Sequence, residues 1–551
     1  MATFKVQFRR GTTAEHTTFT GAQGEITYDT ETNQLVLHDG VTPGGHRIPL
    51  ITDVPTDLSQ LTDENEALPV QLVSFDYDAF LWTSSSSTNA YPYGESFASV
   101  GTDSNGNIYA VGNWNNTNGG LSVKLQPDGT QVYYNKWGAL YEHITVHSVA
   151  VAPNGNHVIT GAARKYGGGN SVQYSYTAFL NSYGVKQWDY WWGNATGRMI
   201  SSTIDSSGTP ITLSRHESGG TDFSTNGPYP SIVKWQSNGN GQDWTYAVYG
   251  NRAQLYGVGC DPNDTDNNIY AVGNTTFVDG ITNPSYPLLI KLNSSGSIIW
   301  QKRISGSNWN FDNLSFDNEG NIITVGKEYI NGSLRARVAK WDTSGTLLWQ
   351  GYYTNGDNKW PDDVHVDTLS NGDVVIYYAR RYSYDAGDVN GGQISVWMAV
   401  LSGTDGSLIY DRKISHVSNV KGTEVGYVDY VGNAVAVDSN DNIIIVGRYH
   451  SPIYNPSDPN EGEVNQPFLF KLPGNDVDGA LNTTYGDFII ENAAGEFTAT
   501  SYSVSNDSTS TSNNFNYYPV QSGSDNYPSG YSFGGASGVT SSKVIINDPS
   551  A

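Results

Sequence analysis

One phrase returns seven times along this chain, and it limits the fold more than any other feature. It reads SVGTDSNGNIYAVG ending at Gly112 and AVAPNGNHVITG ending at Gly161. Then come STIDSSGTPITLS, GVGCDPNDTDNNIYAVG, LSFDNEGNIITVG, HVDTLSNGDVVIYY and VAVDSNDNIIIVG. Each copy is a short strand, a polar turn rich in Asp, Asn and Gly, and a β-branched strand. A second strand–turn–strand phrase follows each first one, from LSVKLQPDGTQVYYNKWG to FLFKLPGNDVDGAL. Together the two phrases spell a four-stranded antiparallel meander. The turn positions Gly106, Gly155, Gly208, Asn267, Gly320, Gly372 and Asp441 lie 49, 53, 59, 53, 52 and 69 residues apart. Seven units of this kind predict a seven-bladed β-propeller, which protects the edges of many small sheets and lets insertions fall in loops.

Such a body must join its ends. DAFLWTSSSS (78–87) precedes the first repeat and matches the closing strands SIIWQKRIS and TLLWQGYY. The seventh repeat reaches FLFKLPGND without a Trp-bearing partner. Residues 78–85 are therefore expected to supply its outer strand, with YGDFIIEN (485–492) as the competing candidate.

The repeats resemble the bacterial and phage β-propeller repeat with its D-x-x-G-N-x-Y-V-x-G core, over residues 90–480. The front of the chain is different. ATFKVQFRRG reads as strand then turn, and AQGEITYDTETNQLVLHDG reads as a hairpin with Ile26 and Tyr28 facing Leu35 and Leu37. Phe8-Arg9-Arg10-Gly11-Thr12, Gly24-Glu25-Ile26, the Asp29–Asn33 turn and Leu37-His38-Asp39-Gly40 resemble the N-terminal domain of phage major tropism determinants and of tail-fibre and baseplate-associated proteins. The resemblance implies a virion-attachment module, usually trimeric, in which Phe8, Arg9, Arg10, Gly11, Thr12, Gly24, Glu25, Asp39 and Gly40 carry the family pattern. The DLSQLTD connector that follows resembles those in structural proteins of phages infecting marine cyanobacteria.

The expected organisation is all-β. It comprises an N-terminal β module (1–50), a polar, acidic linker (51–70), the propeller (71–480) and an irregular C-terminal extension (481–551) rich in Ser, Asn, Tyr and Gly. That extension is expected to be disordered or to order by docking on a neighbouring chain, with KVIIN (543–547) as a strand added to another sheet.

Composition narrows the function. Gly (61) and Tyr (37) are abundant, which suits short strands and tight turns. A net charge of −25 repels phosphate backbones and argues against nucleic acid as a partner. The single cysteine, Cys260, excludes an intrachain disulfide and reads as a small core residue. The first residues hold no apolar signal segment, and no window resembles a membrane span. The expectation is a soluble protein assembled in the host cytoplasm, with no cofactor.

Candidate sites are few. The Asp-Asn-Gly turns lack the spacing of a calcium loop and read as turns. DPNDTDNN is the best metal candidate, through Asp261, Asp264 and Asp266. His38 belongs to the family turn, and His143 with His147 sit four apart without a zinc signature. WDYWWG (188–193) and RYSYDAG (381–387) offer Trp191, Tyr382 and Tyr384 as flat platforms for sugar rings or partner proteins, against a reading in which Trp188 and Trp192 are core. No P-loop, Rossmann or G-x-S-x-G signature appears.

The reading that follows is a structural virion protein, a tail fibre or baseplate-linked appendage that recognises the host surface. Its partners would be other tail or baseplate proteins, a host glycan or protein, and further copies of itself. Two alternatives stay open: a purely architectural tail protein, and a propeller polysaccharide depolymerase.

Overall fold

The computed structural model describes residues 9–22, 25–32, 34–38, 40–47, 80–86, 95–114, 119–137, 142–167, 170–192, 197–216, 230–247, 253–278, 281–304, 309–330, 333–355, 361–380, 396–416, 431–451, 464–474, 483–485, 488–491, 497–501, 534–535 and 539–545. The chain divides into two compact units, Met1–Phe75 and Asp76–Ala551.

In the first unit, strands Arg9–Gly11, Ile26–Asp29, Gln34–Leu37 and His46–Arg47 form one sheet in that order. The hairpin pairs Ile26 with Leu37 and Tyr28 with Leu35, the register its alternation requires. One element departs from the expected run of strands: Thr13–Thr18 is a helix. Thr12 caps it. Its hydroxyl accepts from the Glu15 amide, and the Glu15 carboxylate accepts from the Thr12 amide at 2.8 Å.

The second unit holds seven sheets among the described residues. Sheet 1 is Ser96–Thr102, Ile108–Trp114, Gly119–Leu125 and Gln131–Trp137. Sheet 2 is Glu142–Val151, His157–Gly167, Asn170–Leu180 and Lys186–Trp192. Sheet 3 is Gly197–Ile204, Pro210–His216, Ser231–Trp235 and Gln242–Ala247. Sheet 4 is Ala253–Gly259, Ile269–Val278, Ile281–Leu292 and Ile298–Arg303. Sheet 5 is Trp309–Phe316, Ile322–Ile330, Ser333–Trp341 and Leu347–Asn355. Sheet 6 is Pro361–Thr368, Val374–Arg380, Val396–Leu401 and Leu408–His416. Sheet 7 is Val431–Val437, Asn442–Ser451 and Val464–Pro473, with Phe80–Ser86 from the front of the chain as its fourth strand. All seven are antiparallel meanders.

The turn chemistry explains the repeated phrase. All seven turn positions have positive φ, including Asn267 (54°) and Asp441 (62°), the two residue types besides Gly that tolerate it best. In four turns an aspartate (Asp103, Asp205, Asp317, Asp438) accepts the amides two and four residues on, at 2.9–3.1 Å. The glycine that closes the phrase lies against a bulge in the first strand. A Cβ on Gly112, Gly161, Gly273 or Gly326 would fall 1.7–1.9 Å from a carbonyl oxygen of that strand.

Successive sheets pack face to face. Their first strands touch in order from sheet 1 to sheet 7, and the first strand of sheet 7 touches that of sheet 1. Apolar clusters fill each junction, including the last, where Val100, Val123 and Leu125 meet Ile444, Val446 and Leu469. Polar bonds follow the same cycle. Asp367 of sheet 6 accepts from Ser315 of sheet 5 (2.8 Å) and from the Val437 amide of sheet 7 (2.7 Å), and Thr102 of sheet 1 donates to the Val437 carbonyl (2.9 Å). Fourth-strand tryptophans reach the next sheet: Trp188, Trp244 and Trp349 donate to the carbonyls of Ser237, Ser294 and Gly403.

The expected closing strand is thus found in place, and YGDFIIEN lies elsewhere: Phe488–Glu491 pairs with the fourth strand of sheet 6. The C-terminal extension corrects a second expectation. Four of its segments add to outer edges of this chain's own sheets, and Val539–Ile545, which holds most of the KVIIN stretch, pairs with Phe80–Ser86. Extended backbone with few large side chains gains its bonds by joining an edge already held by a core.

Candidate functional site

The N-terminal module gathers the residues singled out by their pattern. Its strand order brings Arg9 beside Glu25, 3.3 Å apart, with the guanidinium 4.8 Å over the Phe19 ring. Glu25 also accepts from the Ala22 amide at 2.9 Å, so it ties a loop to the strand edge. Arg10 stays exposed, and Gly40 has a φ of 85° in the exposed turn after the hairpin. Gly11 lies 3.3 Å, measured from a built Cβ, from the His16 ring. Phe8, Gly24 and Asp39 lie outside the described residues.

Beneath this surface runs a relay that sequence reasoning did not find. His16 Nδ1 bonds the Thr12 carbonyl (3.0 Å), His16 Nε2 bonds Thr27 Oγ1 (2.8 Å), Thr27 Oγ1 bonds His38 Nε2 (2.9 Å), and His38 Nδ1 faces the Gly21 amide (3.3 Å). A carbonyl only accepts and an amide only donates, so the ends set the direction. Gly21 donates to His38, His38 to Thr27, Thr27 to His16, and His16 to Thr12. All three side chains are buried. This line of bonds joins the helix to the small sheet, while Arg9 and Arg10 stay exposed.

The body's candidates fare differently. Trp191 is 7% exposed and packs in the junction of sheets 1 and 2, so its ring is no outward platform; Trp188, three residues earlier, is the partly exposed one. Side chains alternate along a strand, and the core face falls on Trp191. Tyr382 and Tyr384 lie outside the described residues. The metal candidates do not converge. Asp261 accepts from the Asn263 amide (2.8 Å), Asp264 from the Asp266 amide (2.8 Å) and the Asn268 side chain (2.7 Å), and Asp266 is exposed. These are two consecutive Asx turns, and no group of three metal-ligating side chains occurs among the described residues. His143 and His147 share one strand, and His147 is the unpaired residue of its bulge, between Val146 and Ser148. Cys260 is buried beside Thr203, with its thiol pushed well up by burial, as a core residue requires. No helix among the described residues is long and apolar enough to cross a membrane.

Residues 6–42 match the major tropism determinant N-terminal domain. The chain is 68% identical over 40 residues to the tail fiber receptor-binding protein of Bordetella phage BPP-1, which is 7% of this chain and 10% of that one. The chain thus matches about a tenth of that relative's length. Among solved structures, the phage phi92 endosialidase aligns at a TM-score of 0.38 and 11% identity, over 72% of this chain and 69% of that one. A polysaccharide lyase of family PL25, an ulvan lyase, aligns at 0.36 and 10%, over 70% and 96%. The NanB sialidase of Streptococcus pneumoniae aligns at 0.33 and 14%, over 72% and 70%. Likenesses this distant say nothing of what the chain binds or cleaves.

Proposed function

We propose that this chain is a phage virion protein, a tail fibre or baseplate-associated appendage. Its N-terminal module attaches it to the particle, and its body, a seven-bladed β-propeller, is presented for recognition of the host surface. The observation that carries the reading is the match of residues 6–42 to the major tropism determinant N-terminal domain, with 68% identity over 40 residues to a phage tail fiber receptor-binding protein beside it. The propeller reading is supported by the cycle of first-strand contacts and by the sheet that two distant parts of the chain build together. The module's exposed Arg10 and Arg9–Glu25 edge face other tail proteins, and copies of the chain associate through this end. The body binds without covalent chemistry.

The test uses the full chain and the cells its phage infects. Saturable binding without release of reducing sugar supports the reading. Sugar release makes the protein a depolymerase instead. Absence of both leaves an architectural protein, and labelling of intact virions with antibody to the chain then tests the attachment half alone.

A further inference from the structure

In five of the seven sheets a lysine precedes the Leu or Trp near the end of the third strand, and its ammonium crosses to the next sheet. Lys124, Lys234, Lys291, Lys340 and Lys471 donate to the carbonyls of Ser182, Ser294, Thr343, Gly403 and Pro127 at 2.8–3.4 Å. Each acceptor holds one position, two residues past the matching Leu or Trp of its own sheet. Two of these carbonyls also take a fourth-strand tryptophan: Gly403 accepts from Trp349 (3.1 Å) and Ser294 from Trp244 (3.0 Å).

The other two sheets lack the lysine. Sheet 2 has Phe179 there, stacked on Trp188 with ring centroids 5.5 Å apart, and the two rings fill the space. Sheet 6 has Val400, which is shorter, and a cavity of about 290 Å³ lies in its junction with sheet 7. Leu369, Val400, Ile409, Pro473 and Gly474 line it together with Asp373 and Asp441. The matching acceptor is the Gly474 carbonyl. It takes the Tyr410 hydroxyl (2.8 Å) in the tryptophan's place, and no ammonium among the described residues. A carbonyl oxygen accepts two bonds, so the lysine's place on it stays open. Asp373 accepts from the Gly403 amide (2.9 Å) and the Asn371 side chain (2.7 Å), and Asp441 from the Ser370 amide (2.6 Å) and hydroxyl. All of these donors are neutral, so two carboxylate charges border the cavity with no cation bonded to them among the described residues.

We propose that this cavity binds a lysine side chain of a partner protein. The ammonium donates to the Gly474 carbonyl and pairs with Asp373 and Asp441, and the stem lies along Leu369, Val400 and Ile409. The five lysine-bearing junctions build the same contact from within the chain. An apolar lining suits lysine's four-carbon stem and leaves the ring hydroxyls of an amino sugar without partners. A net charge of −25 draws a basic partner. The proposal goes beyond the virion reading and does not rest on it.

Saturation-transfer NMR of the full chain with n-butylammonium, which is a lysine side chain without its backbone, tests it against n-butanol as the uncharged control. Saturable transfer to butylammonium and none to butanol is expected, and a blocked tripeptide with a central lysine should compete. Asp373→Asn, which copies Asn321 of sheet 5, should weaken binding about tenfold. Val400→Lys, which copies the five lysine-bearing sheets, should abolish it; if that variant does not fold, Asp373→Asn alone decides. No saturable transfer, equal binding of butanol, or an unchanged dissociation constant in the folded variants overturns the proposal. Displacement by glucosamine but not by the tripeptide assigns the cavity to an amino sugar and overturns the partner named here. None of these readings uses host cells, so the cell-binding result decides the virion reading separately.

Discussion

Lys471 Nζ lies 3.2 Å from Asp438 Oδ2 with both side chains fully buried. The same ammonium donates to the Pro127 carbonyl at 2.8 Å, 344 residues away in sequence. It therefore neutralises the turn aspartate of sheet 7 and ties that sheet to the outer turn of sheet 1. The device recurs. Lys340 pairs with Asp317 and bonds the Gly403 carbonyl, and Lys234 pairs with Asp205 and reaches that of Ser294. Sheet 6 has Leu369 and Val400 at the matching positions, both buried in the junction with sheet 7. Lys471→Met should lower stability by about 3–5 kcal/mol, because it strands a buried carboxylate. Asp438→Leu with Lys471→Val, which copies sheet 6, should lose less than the single variant. Urea midpoints of the full chain decide, and a double variant weaker than the single one rejects the argument.

His157 supplies a pH signature. Burial holds its imidazole down to about 4; the bond to the Gly155 carbonyl opposes this, and the Lys124 ammonium adds to it. Nδ1 donates to Gly155 (3.0 Å) and Nε2 faces the Tyr133 hydroxyl (3.3 Å), so the neutral ring is the one that fits. The folded value lies below the ordinary 6.5. Its contribution is therefore present above pH 6.5 and lost as pH falls through about 4, and it amounts to about 3 kcal/mol. His157→Asn keeps a donor for Gly155 and does not titrate. Between pH 7 and 4 the unmodified chain should lose about 3 kcal/mol more than this variant in matched urea melts. Parallel profiles for the two would show that His157 does not set the slope.

Much of the body was legible because turn chemistry repeats in one dimension. Every turn position picked from the phrase has positive φ, and the strand at 80–86 fills the place that FLFKLPGND left open. What escaped needs the third dimension. Thr12-x-x-Glu15 is a capping box in plain view, yet a six-residue helix between strands leaves no periodicity to read. Trp191 and Trp188 are indistinguishable by type, and only packing between sheets says which is buried. His16, Thr27 and His38 are eleven residues apart at each step, so nothing local announces their line of bonds. The extension reads as disorder or as docking on a neighbouring chain, with KVIIN as an added strand, and only the fold shows that the edges receiving its strands belong to the same chain.

Two glycines of the same phrase should respond differently to substitution. A methyl on Gly326 would meet the Asn310 carbonyl oxygen at 1.7 Å, backbone against backbone. Gly326→Ala should therefore cost about 3 kcal/mol. Gly372 has φ of 86° but open space where its Cβ would stand. Gly372→Asn should cost about 1 kcal/mol, since Asn267 and Asp441 already serve at equivalent turns. Thermal melts of the two variants rank them, and equal losses would contradict the bulge argument.

The N-terminal module offers a test that does not depend on the body. Thr27 is the middle group of its relay, bridging His16 and His38 at 2.8 and 2.9 Å. Thr27→Val keeps the shape and removes both bonds, leaving two buried ring nitrogens facing a methyl group. That should destabilise the module by about 2 kcal/mol. Thr27→Ser restores the hydroxyl and should recover most of the loss. In the full chain, amides of Ile26–Asp29 should exchange roughly 30-fold faster in Thr27→Val, while those of Val374–Arg380 in sheet 6 keep their rates. Unchanged exchange at Ile26–Asp29 would mean that the helix cap and the Arg9–Glu25 edge hold the module without the relay.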